Sequence, residues 1–207
     1  MIAVLDLGFG NVSSVMNMLK KVGVPAYVAN TVELVERSSS IILPGVGSFD
    51  ACMNLTRVNA EIFAILEDKV LREKVPFLGI CVGMQMLFES SEEGVESGLC
   101  WIPGKVKRFK FSDTKIKIPH MGWREITVEN GGGQLLDSEC ISRFYFVHSY
   151  YVECSHPEAS IATCEYGQSS FSAAVNQGNI YGVQFHPEKS HMFGLSVLRA
   201  FSRITHV

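Results

Sequence analysis

The sequence predicts a three-layer α/β fold: a central, mostly parallel sheet with helices on both faces, and an additional antiparallel, strand-rich portion in the second half. Two observations carry this prediction. Over roughly the first 80 residues, short apolar stretches alternate with segments of helical periodicity, which is typical of parallel strands joined by helices. After about residue 98, extended runs rich in aromatic and β-branched residues predominate. With 47% hydrophobic residues, 207 residues can bury one core, so we expect a single domain over 1–207.

The first half contains four predicted strands. They span residues 2–5, 26–29, 41–43 and 76–80. Between the first two, apolar residues recur at helical spacing over 12–19, with Asn11 as the N-cap and Gly23 after the end of the helix. A second helical pattern covers 62–70.

The second half is predicted to be extended. Its candidate strands lie within residues 99–111, 123–129, 143–153, 159–166 and 171–176. The segment 176–190 is typical of a tight turn, a strand and a loop, and the spacing of Leu195, Leu198 and Phe201 predicts a closing helix.

Charge and cysteine usage exclude several classes of protein. A net charge of -3 gives no general attraction to polyanions, so we expect neither nucleic acid nor a membrane surface as partner. The apolar N-terminus has no basic region before it and is too short for a signal or a spanning helix. Six cysteines without a C-x-x-C pair indicate reduced thiols in the cytoplasm, and we expect all but one to be core residues.

We expect no cofactor and no metal. Gly8-Phe9-Gly10 follows a strand as in a dinucleotide fingerprint, but Ser13 stands where the third glycine belongs. No histidine or cysteine spacing fits a zinc site. The basic run from Lys105 to Lys117 is predicted to be a solvated hairpin face, with docking to an acidic partner as the alternative.

The stretch FLGICVGMQMLFE, residues 77–89, places Cys81 between Gly79 and Gly83 where a strand gives way to a helical pattern. A G-x-nucleophile-x-G pentapeptide at such a junction forms a sharp turn that projects the nucleophile from the strand tip. A helix N-terminus at that point stabilises a thiolate and can direct an N–H donor at a developing oxyanion. We therefore predict that Cys81 is a nucleophile rather than a buried core cysteine.

A thiol nucleophile needs a base, and His186 is the best placed of the histidines. It follows an apolar strand, and the carboxylate of Glu188 two residues later can accept a hydrogen bond from its ring and fix the tautomer. The sequence thus predicts a catalytic triad of Cys81, His186 and Glu188.

Acyl transfer also needs donors for the tetrahedral oxyanion. The N–H of Val82 is one candidate. The segment 44–47, PGVG, at the end of the third strand adds Val46 and Gly47, because its glycines permit backbone flips. A simple turn is the alternative interpretation. We expect this segment to hold a carbonyl toward the site until a partner docks.

These motifs together resemble a known family. PGVG at 44–47, GICVGMQ at 79–85 and HPE at 186–188 are similar to the triad-type (class I) glutamine amidotransferases, whose fold is three-layered and flavodoxin-like. DLGFGN near the N-terminus, PHMGW at 119–123 and YFVHSYY at 145–151 resemble, more narrowly, the glutaminase subunits of imidazole glycerol phosphate synthases.

The resemblance implies that Cys81 attacks the carboxamide of glutamine, that His186 shuttles protons and that Glu188 orients His186. The pocket for the α-amino and α-carboxylate groups of glutamine would be formed by further residues, namely Gln85, Glu93, His148, Ser149 and Tyr150.

The resemblance also implies a partner, a (β/α)₈ cyclase subunit that forms a heterodimer with this chain and uses the ammonia in histidine biosynthesis. The positions that match the partner face or ammonia exit are Asn11, Met121, Trp123, Tyr145 and Lys189. Met121 and Trp123 follow a proline, and the alternative for both is a core position.

Three other functions remain open at this stage. The chain could be a paralogue that feeds ammonia to a different synthase. It could be a free-standing cysteine hydrolase of peptides or γ-glutamyl compounds, which would share the strand-to-helix turn at Cys81 but would not need Gln85. It could also be a non-catalytic binding subunit.

Overall fold

The computed structural model describes residues 1–137 and 142–204. Within them the strands are β1 (Ile2–Leu5), β2 (Ala26–Ala29), β3 (Ser40–Gly45), β4 (Phe77–Cys81), β5 (Ser90–Ser91), β6 (Gly104–Arg108), β7 (His120–Val128), β8 (Ser142–His148), β9 (Tyr150–Cys154), β10 (Ser160–Tyr166), β11 (Ser169–Gln177) and β12 (Ile180–Val183). The helices in the same residues are α1 (Val12–Lys21), α2 (Val32–Glu36), α3 (Phe49–Val58), α4 (Ala60–Glu67), α5 (Val82–Gln85) and α6 (His191–Phe201).

One nine-stranded sheet organises the chain, in the order β2-β1-β3-β4-β12-β11-β10-β7-β8. The first five strands in this order are parallel to one another. The last four continue the same sheet with antiparallel pairing. A small second sheet has the order β5-β6-β9. The predicted fold class, a parallel α/β sheet with an antiparallel portion, is confirmed.

The helices cover the parallel strands on both sides. Helix α1 packs against α6, whereas α2 and α3 each pack against α4. The amphipathic spacing of α1 explains its position, because its buried residues Val12, Val15 and Leu19 recur every three to four residues. The strands beneath have the continuous apolar character of strands covered on both faces, and Leu5, Ile41 and Ile42 are fully buried.

The parallel arrangement determines where a site can form. Strands β1, β3, β4 and β12 are neighbours, so their carboxyl ends meet at one edge of the sheet. The segments that follow these ends are the loop before α1, the PGVG segment, Cys81 and the segment 184–188. Every predicted catalytic residue therefore lies at or just after the end of a strand at this edge.

The run 143–153, predicted as one extended stretch, forms two strands in different sheets. Strand β8 pairs with β7 in the large sheet, and β9 pairs with β6 in the small one. The chain changes sheets at Ser149, whose carbonyl accepts a hydrogen bond from the N–H of Phe109 at 3.1 Å. Alternating side chains alone do not reveal such a crossing, because both strands keep the same periodicity.

Some local expectations were wrong. The basic run, predicted to be a hairpin face, contains one strand, β6, which pairs with β9. Asn11 occupies the N-cap position of α1 without a side-chain capping bond. Among the other cysteines, Cys52 and Cys164 are buried, but Cys154 is half-buried and Cys100 is exposed, contrary to the expected core positions.

Cys140 lies outside the described residues. No helix in the described ranges is long and apolar enough to cross a membrane. Across the same residues, no group of three or more histidine, cysteine or acidic side chains is arranged to hold a metal ion.

Candidate active site

Cys81 ends β4 in a backbone conformation that is rare for a residue with a side chain. Its φ is +56° and its ψ is -110°. A conformation of this kind costs on the order of 1–3 kcal/mol and is maintained only when the surroundings enforce it. The glycines enforce it here: a Cβ on Gly79 would overlap the backbone of Gly83, and a Cβ on Gly83 would overlap the carbonyl of Leu43. Cys81 therefore sits on the sharp strand-to-helix turn that the pentapeptide predicts.

His186 and Glu188 form a buried pair beside this turn. Nδ1 of His186 lies 2.8 Å from Oε1 of Glu188, and both side chains are 2% exposed. Burial on its own lowers the pKa of His186, but the adjacent Cys81 and Glu188 outweigh burial and raise that pKa to about 9. Nε2 of His186 has no hydrogen-bond partner of good geometry in the described part of the chain. This nitrogen is therefore the one available to exchange a proton with the thiol.

A cavity of about 420 Å³ opens at Cys81. It is lined by most of the predicted site residues and by two that were not predicted, in full Val46, Gly47, Cys81, Val82, Gln85, Glu93, Pro119, Val147, His148, Ser149, Tyr150, His186 and Lys189. A volume of this size accommodates a small polar molecule. The structure thus brings Cys81, His186 and the predicted oxyanion and substrate residues to one cavity, with Glu188 behind His186.

Gln184 is a residue of this site that the sequence reasoning missed. Its Nε2 lies 3.6 Å from Sγ of Cys81, and its Oε1 lies 2.9 Å from Nε2 of Gln85. Its side chain is fully buried. The available signal was a polar residue in the otherwise apolar strand sequence GVQF, because a buried amide requires hydrogen-bond partners.

Gln85, predicted to bind substrate, is already engaged with the protein. Its Nε2 donates to the carbonyl of Tyr150 at 3.1 Å and to Oε1 of Gln184 at 2.9 Å. Both amide hydrogens are used, so Oε1 is the atom that remains for a ligand. Gln85 is buried, so it is not a solvated helix residue.

The ring of His148 is likewise committed to the protein. Nδ1 lies 2.7 Å from the carbonyl oxygen of Tyr150, and Nε2 lies 3.0 Å from Nδ1 of His120. Burial lowers the pKa of His148 to about 3, although the hydrogen bond to the Tyr150 carbonyl opposes this shift. Burial and the charge of Arg124 lower the pKa of His120 to about 4. Both rings are therefore neutral at pH 7, and neither nitrogen of His148 is left to contact glutamine.

Glu93 lines the cavity from the loop after β5. Its Oε2 accepts a hydrogen bond from the backbone N–H of Phe49 at 2.8 Å. The same carboxylate supplies a negative charge to the cavity. An α-ammonium group would form a charge-assisted hydrogen bond with it. Ser149 and Tyr150 line the same cavity.

The predicted oxyanion segment lies between the nucleophile and α3. Gly47 has a φ of +118°, and a Cβ there would meet open space, so glycine is required by backbone conformation and not by packing. Sγ of Cys52 lies 3.8 Å from the carbonyl oxygen of Val46. Burial, with the charges of Glu93 and Cys81, raises the pKa of Cys52 to about 12, so its thiol stays protonated and can donate to this carbonyl.

Of the predicted partner-face residues, Lys189 lines the cavity, and Met121 lies opposite Val147, which also lines it, at the cavity mouth. Trp123 and Tyr145 are cross-strand neighbours with ring centroids 6.2 Å apart, and Nζ of Lys189 lies 5.8 Å from the Tyr145 ring. Met121 is 60% exposed, which rules out a core position. Asn11 lies at the N-cap of α1, a helix that contacts the 187–189 turn carrying Lys189.

Comparison with known proteins places these features in a family context. The family model "Glutamine amidotransferase class-I" matches residues 3–202. The chain is 46% identical to "Imidazole glycerol phosphate synthase subunit HisH" of Bdellovibrio bacteriovorus, with 99% of this chain and 100% of that protein covered. It is 48% identical to "Imidazole glycerol phosphate synthase subunit HisH 2" of Methanococcus maripaludis, with 97% and 98% covered.

Solved structures share the fold. One described as "Crystal structure of glutamine amidotransferase" superposes with a TM-score of 0.73 at 20% identity, covering 97% of this chain and 96% of that one. The "Structure of PurLQS from Thermotoga maritima" gives a TM-score of 0.70 at 19% identity, with the same coverage.

Proposed function

We propose, because this chain belongs to the class-I glutamine amidotransferase family, that Cys81, His186 and Glu188 hydrolyse glutamine through a cysteinyl thioester. The chain is the glutamine-hydrolysing subunit of an imidazole glycerol phosphate synthase and acts in histidine biosynthesis. The observation that carries the catalytic assignment is the convergence of the Cys81 turn and the buried His186–Glu188 pair on one cavity.

The geometry supports a specific sequence of proton transfers. The thiol proton of Cys81 moves to Nε2 of His186, and Glu188 stabilises the resulting imidazolium through Nδ1. The thiolate attacks the carboxamide carbon of glutamine, and His186 returns the proton to the leaving nitrogen, which departs as ammonia. His186 then takes a proton from water, whose oxygen attacks the thioester and releases glutamate and the free thiol.

The other residues of the cavity take positioning roles in this proposal. N–H groups of Val46, Gly47 and Val82 stabilise the oxyanion. Glu93 binds the α-ammonium group, and Oε1 of Gln85 with the backbone around Ser149 and Tyr150 holds the remaining polar groups. His148 contributes by fixing the Tyr150 carbonyl and not by contacting glutamine.

The partner that receives the ammonia is proposed to be a (β/α)₈ cyclase subunit, bound as a heterodimer over Met121, Trp123, Tyr145 and Lys189. The exposed Met121 beside the cavity mouth supports this position, because exposed apolar side chains are suited to interface anchors. We also propose that residues 1–207 act as one domain and that the synthase works in the cytoplasm, consistent with the free cysteines in the described residues.

Glutamate release measured with and without the candidate cyclase and its ligand tests the assignment. We expect low activity of the isolated chain and a large increase with the partner. Cys81→Ala should abolish glutamine-dependent synthesis and leave synthesis from ammonium salts intact, whereas the exposed Cys100→Ala should change neither. Full glutamine turnover by Cys81→Ala would refute the catalytic assignment, and full activity of the isolated wild type would refute the subunit role.

A further inference from the structure

A continuous hydrogen-bonded chain connects the backbone carbonyl of Tyr150 to the sulfur of Cys81. The carbonyl accepts from Nε2 of Gln85 at 3.1 Å, and the same nitrogen donates to Oε1 of Gln184 at 2.9 Å. Nε2 of Gln184 then lies 3.6 Å from Sγ of Cys81. All three side chains are buried, so water does not compete for these bonds.

The carbonyl fixes the direction of every bond in this chain. A backbone oxygen can only accept, so the atom of Gln85 that faces it must be the NH₂ group. The second hydrogen of that NH₂ group requires an acceptor, and this places Oε1 of Gln184 toward Gln85. The NH₂ group of Gln184 is left facing the sulfur. The amide of Gln184 therefore cannot turn over without leaving a buried donor unpaired.

Strand register brings Gln184 to this position. Strands β12 and β4 are parallel neighbours, and their last pair is Val183 opposite Ile80. The next residues along the two chains are Gln184 and Cys81. Gln184 is thus held by the sheet itself, because its backbone N–H donates to the carbonyl of Ala173 at 2.9 Å.

We propose that Gln184 is a further catalytic residue: its amide N–H donates to Sγ of Cys81 and stabilises the thiolate that forms when the thiol proton moves to Nε2 of His186. This inference rests on the proposed function. A hydrogen bond to a charged atom favours the charged form of that atom. The bond from Gln184 therefore stabilises the thiolate in the step before it attacks. Once the sulfur bonds to carbon its negative charge is gone, so the donor favours formation of the nucleophile and not its intrinsic reactivity.

Alkylation of Cys81 by iodoacetamide, followed by mass spectrometry of the Cys81 peptide, measures this effect because only the thiolate reacts. In Gln184→Met, which keeps the volume and removes the donor, we expect alkylation to be roughly tenfold slower at pH 6.5 and nearly unchanged at pH 10.5, where a thiol is ionised with or without the donor. A merely structural role would slow alkylation at both pH values or at neither. Gln177→Met is the matched control, since Gln177 bonds the carbonyl of Trp101 at the opposite end of the sheet.

A double variant keeps the test valid if Gln184→Met does not fold. The double variant Gln85→Met/Gln184→Met removes both side-chain amides, so neither is left with an unpaired hydrogen. Its alkylation rate should show the same decrease, confined to pH 6.5. Equal rates for wild type and a folded variant at pH 6.5 would overturn the role of Gln184. Since the assay uses neither glutamine nor partner, a wild-type Cys81 that reacts no faster than the exposed Cys100 would instead refute the proposed function, and Gln184's role with it.

Discussion

The carboxylate of Glu93 accepts a hydrogen bond from the backbone N–H of Phe49, with Oε2 2.8 Å from the nitrogen. Asp50 makes the reciprocal contact, because its two oxygens accept from the N–H groups of Val95 and Glu96 at 3.0 and 3.1 Å. The loop that lines the substrate cavity and the first turn of α3 thus hold one another. Helix α3 follows the predicted oxyanion segment, so this contact joins the proposed substrate-binding loop to the proposed oxyanion segment.

Glu93→Gln should separate the charge of this residue from its anchoring role. The amide oxygen can still accept from Phe49, but the attraction for the α-ammonium group of glutamine is lost. We expect KM for glutamine to rise about tenfold with kcat nearly unchanged, since a hydrogen bond to a charged group is removed. Steady-state glutaminase assays on the complex measure both constants. Glu93→Ala also loses the hydrogen bond from the N–H of Phe49, so it should lower kcat as well. An unchanged KM in Glu93→Gln would exclude a contact between Glu93 and glutamine.

Gly94→Ala should disrupt the contact between this loop and the first turn of α3 at Asp50. A Cβ at Gly94 would overlap the carboxylate of Asp50, so either the loop or the helix turn must shift. We expect a loss of about 1–3 kcal/mol in the free energy of unfolding and a fall in kcat/KM. Urea unfolding and glutaminase assays provide the measurements. The neighbouring Val95 is 95% exposed, and Val95→Ala should change neither quantity.

The His186–Glu188 pair predicts a loss of stability at alkaline pH. The pKa of His186 is raised to about 9 from an ordinary 6.5, so folding favours the protonated ring. This contribution is fully present below pH 6.5 and is lost as the pH rises through 9, by up to about 3 kcal/mol. Urea unfolding at pH 6.5 and 9.5 should show that the free energy of unfolding falls less between these pH values in Glu188→Gln than in wild type.

The chain supplies its own control for that experiment. His156 and Glu158 have the same spacing but are exposed, with the nearest ring nitrogen and carboxylate oxygen 4.0 Å apart. Glu158→Gln should therefore retain the wild-type loss between the two pH values. A Glu188→Gln variant that behaves in the same way would show that the buried pair does not carry the effect.

The His120–His148 pair predicts the opposite dependence at acidic pH. Burial lowers the pKa of His120 to about 4, so folding favours the neutral ring. Its contribution is fully present above pH 6.5 and is lost as the pH falls through 4, by about 3 kcal/mol. His120→Asn keeps a donor for His148 but does not titrate, so it should reduce the difference in unfolding free energy between pH 6.5 and 4. The exposed His156→Asn is the control, and equal acid sensitivity of His120→Asn and wild type would contradict this role.

A charge at the proposed partner face should weaken assembly. Met121 is 60% exposed beside the cavity mouth, and Met121→Glu would place a carboxylate in an apolar contact. We expect at least a tenfold weaker Kd for the cyclase subunit by calorimetry, with the fold intact. Val58 is 79% exposed at the far end of α3, and Val58→Glu should bind normally. Equal loss in both variants would indicate a general charge effect and not this interface.

Several features of the site could be predicted from sequence because their causes are local. Gly79, Cys81 and Gly83 define the turn, and the alternation of strands and helices orders the strand ends along one edge. Other features depend on contacts between distant residues. Gln184 reaches Cys81 across 103 positions of the chain, and the neutral state of His148 depends on its burial against His120. The periodicity of the sequence does not predict contacts between residues so far apart.

The tripeptide His-Pro-Glu illustrates the division, because it occurs twice, at 156–158 and at 186–188. Sequence alone determined that the chain forms an α/β sheet with a nucleophile turn and that a histidine with a nearby carboxylate follows a strand. The sequence already favoured His186, and tertiary structure supplies the physical reason why this copy and not the other is suited to catalysis. The parallel pairing of β12 with β4 sets His186 beside Cys81 in a buried environment where the carboxylate interaction is strong, whereas His156 remains in water, which screens the same pair of charges.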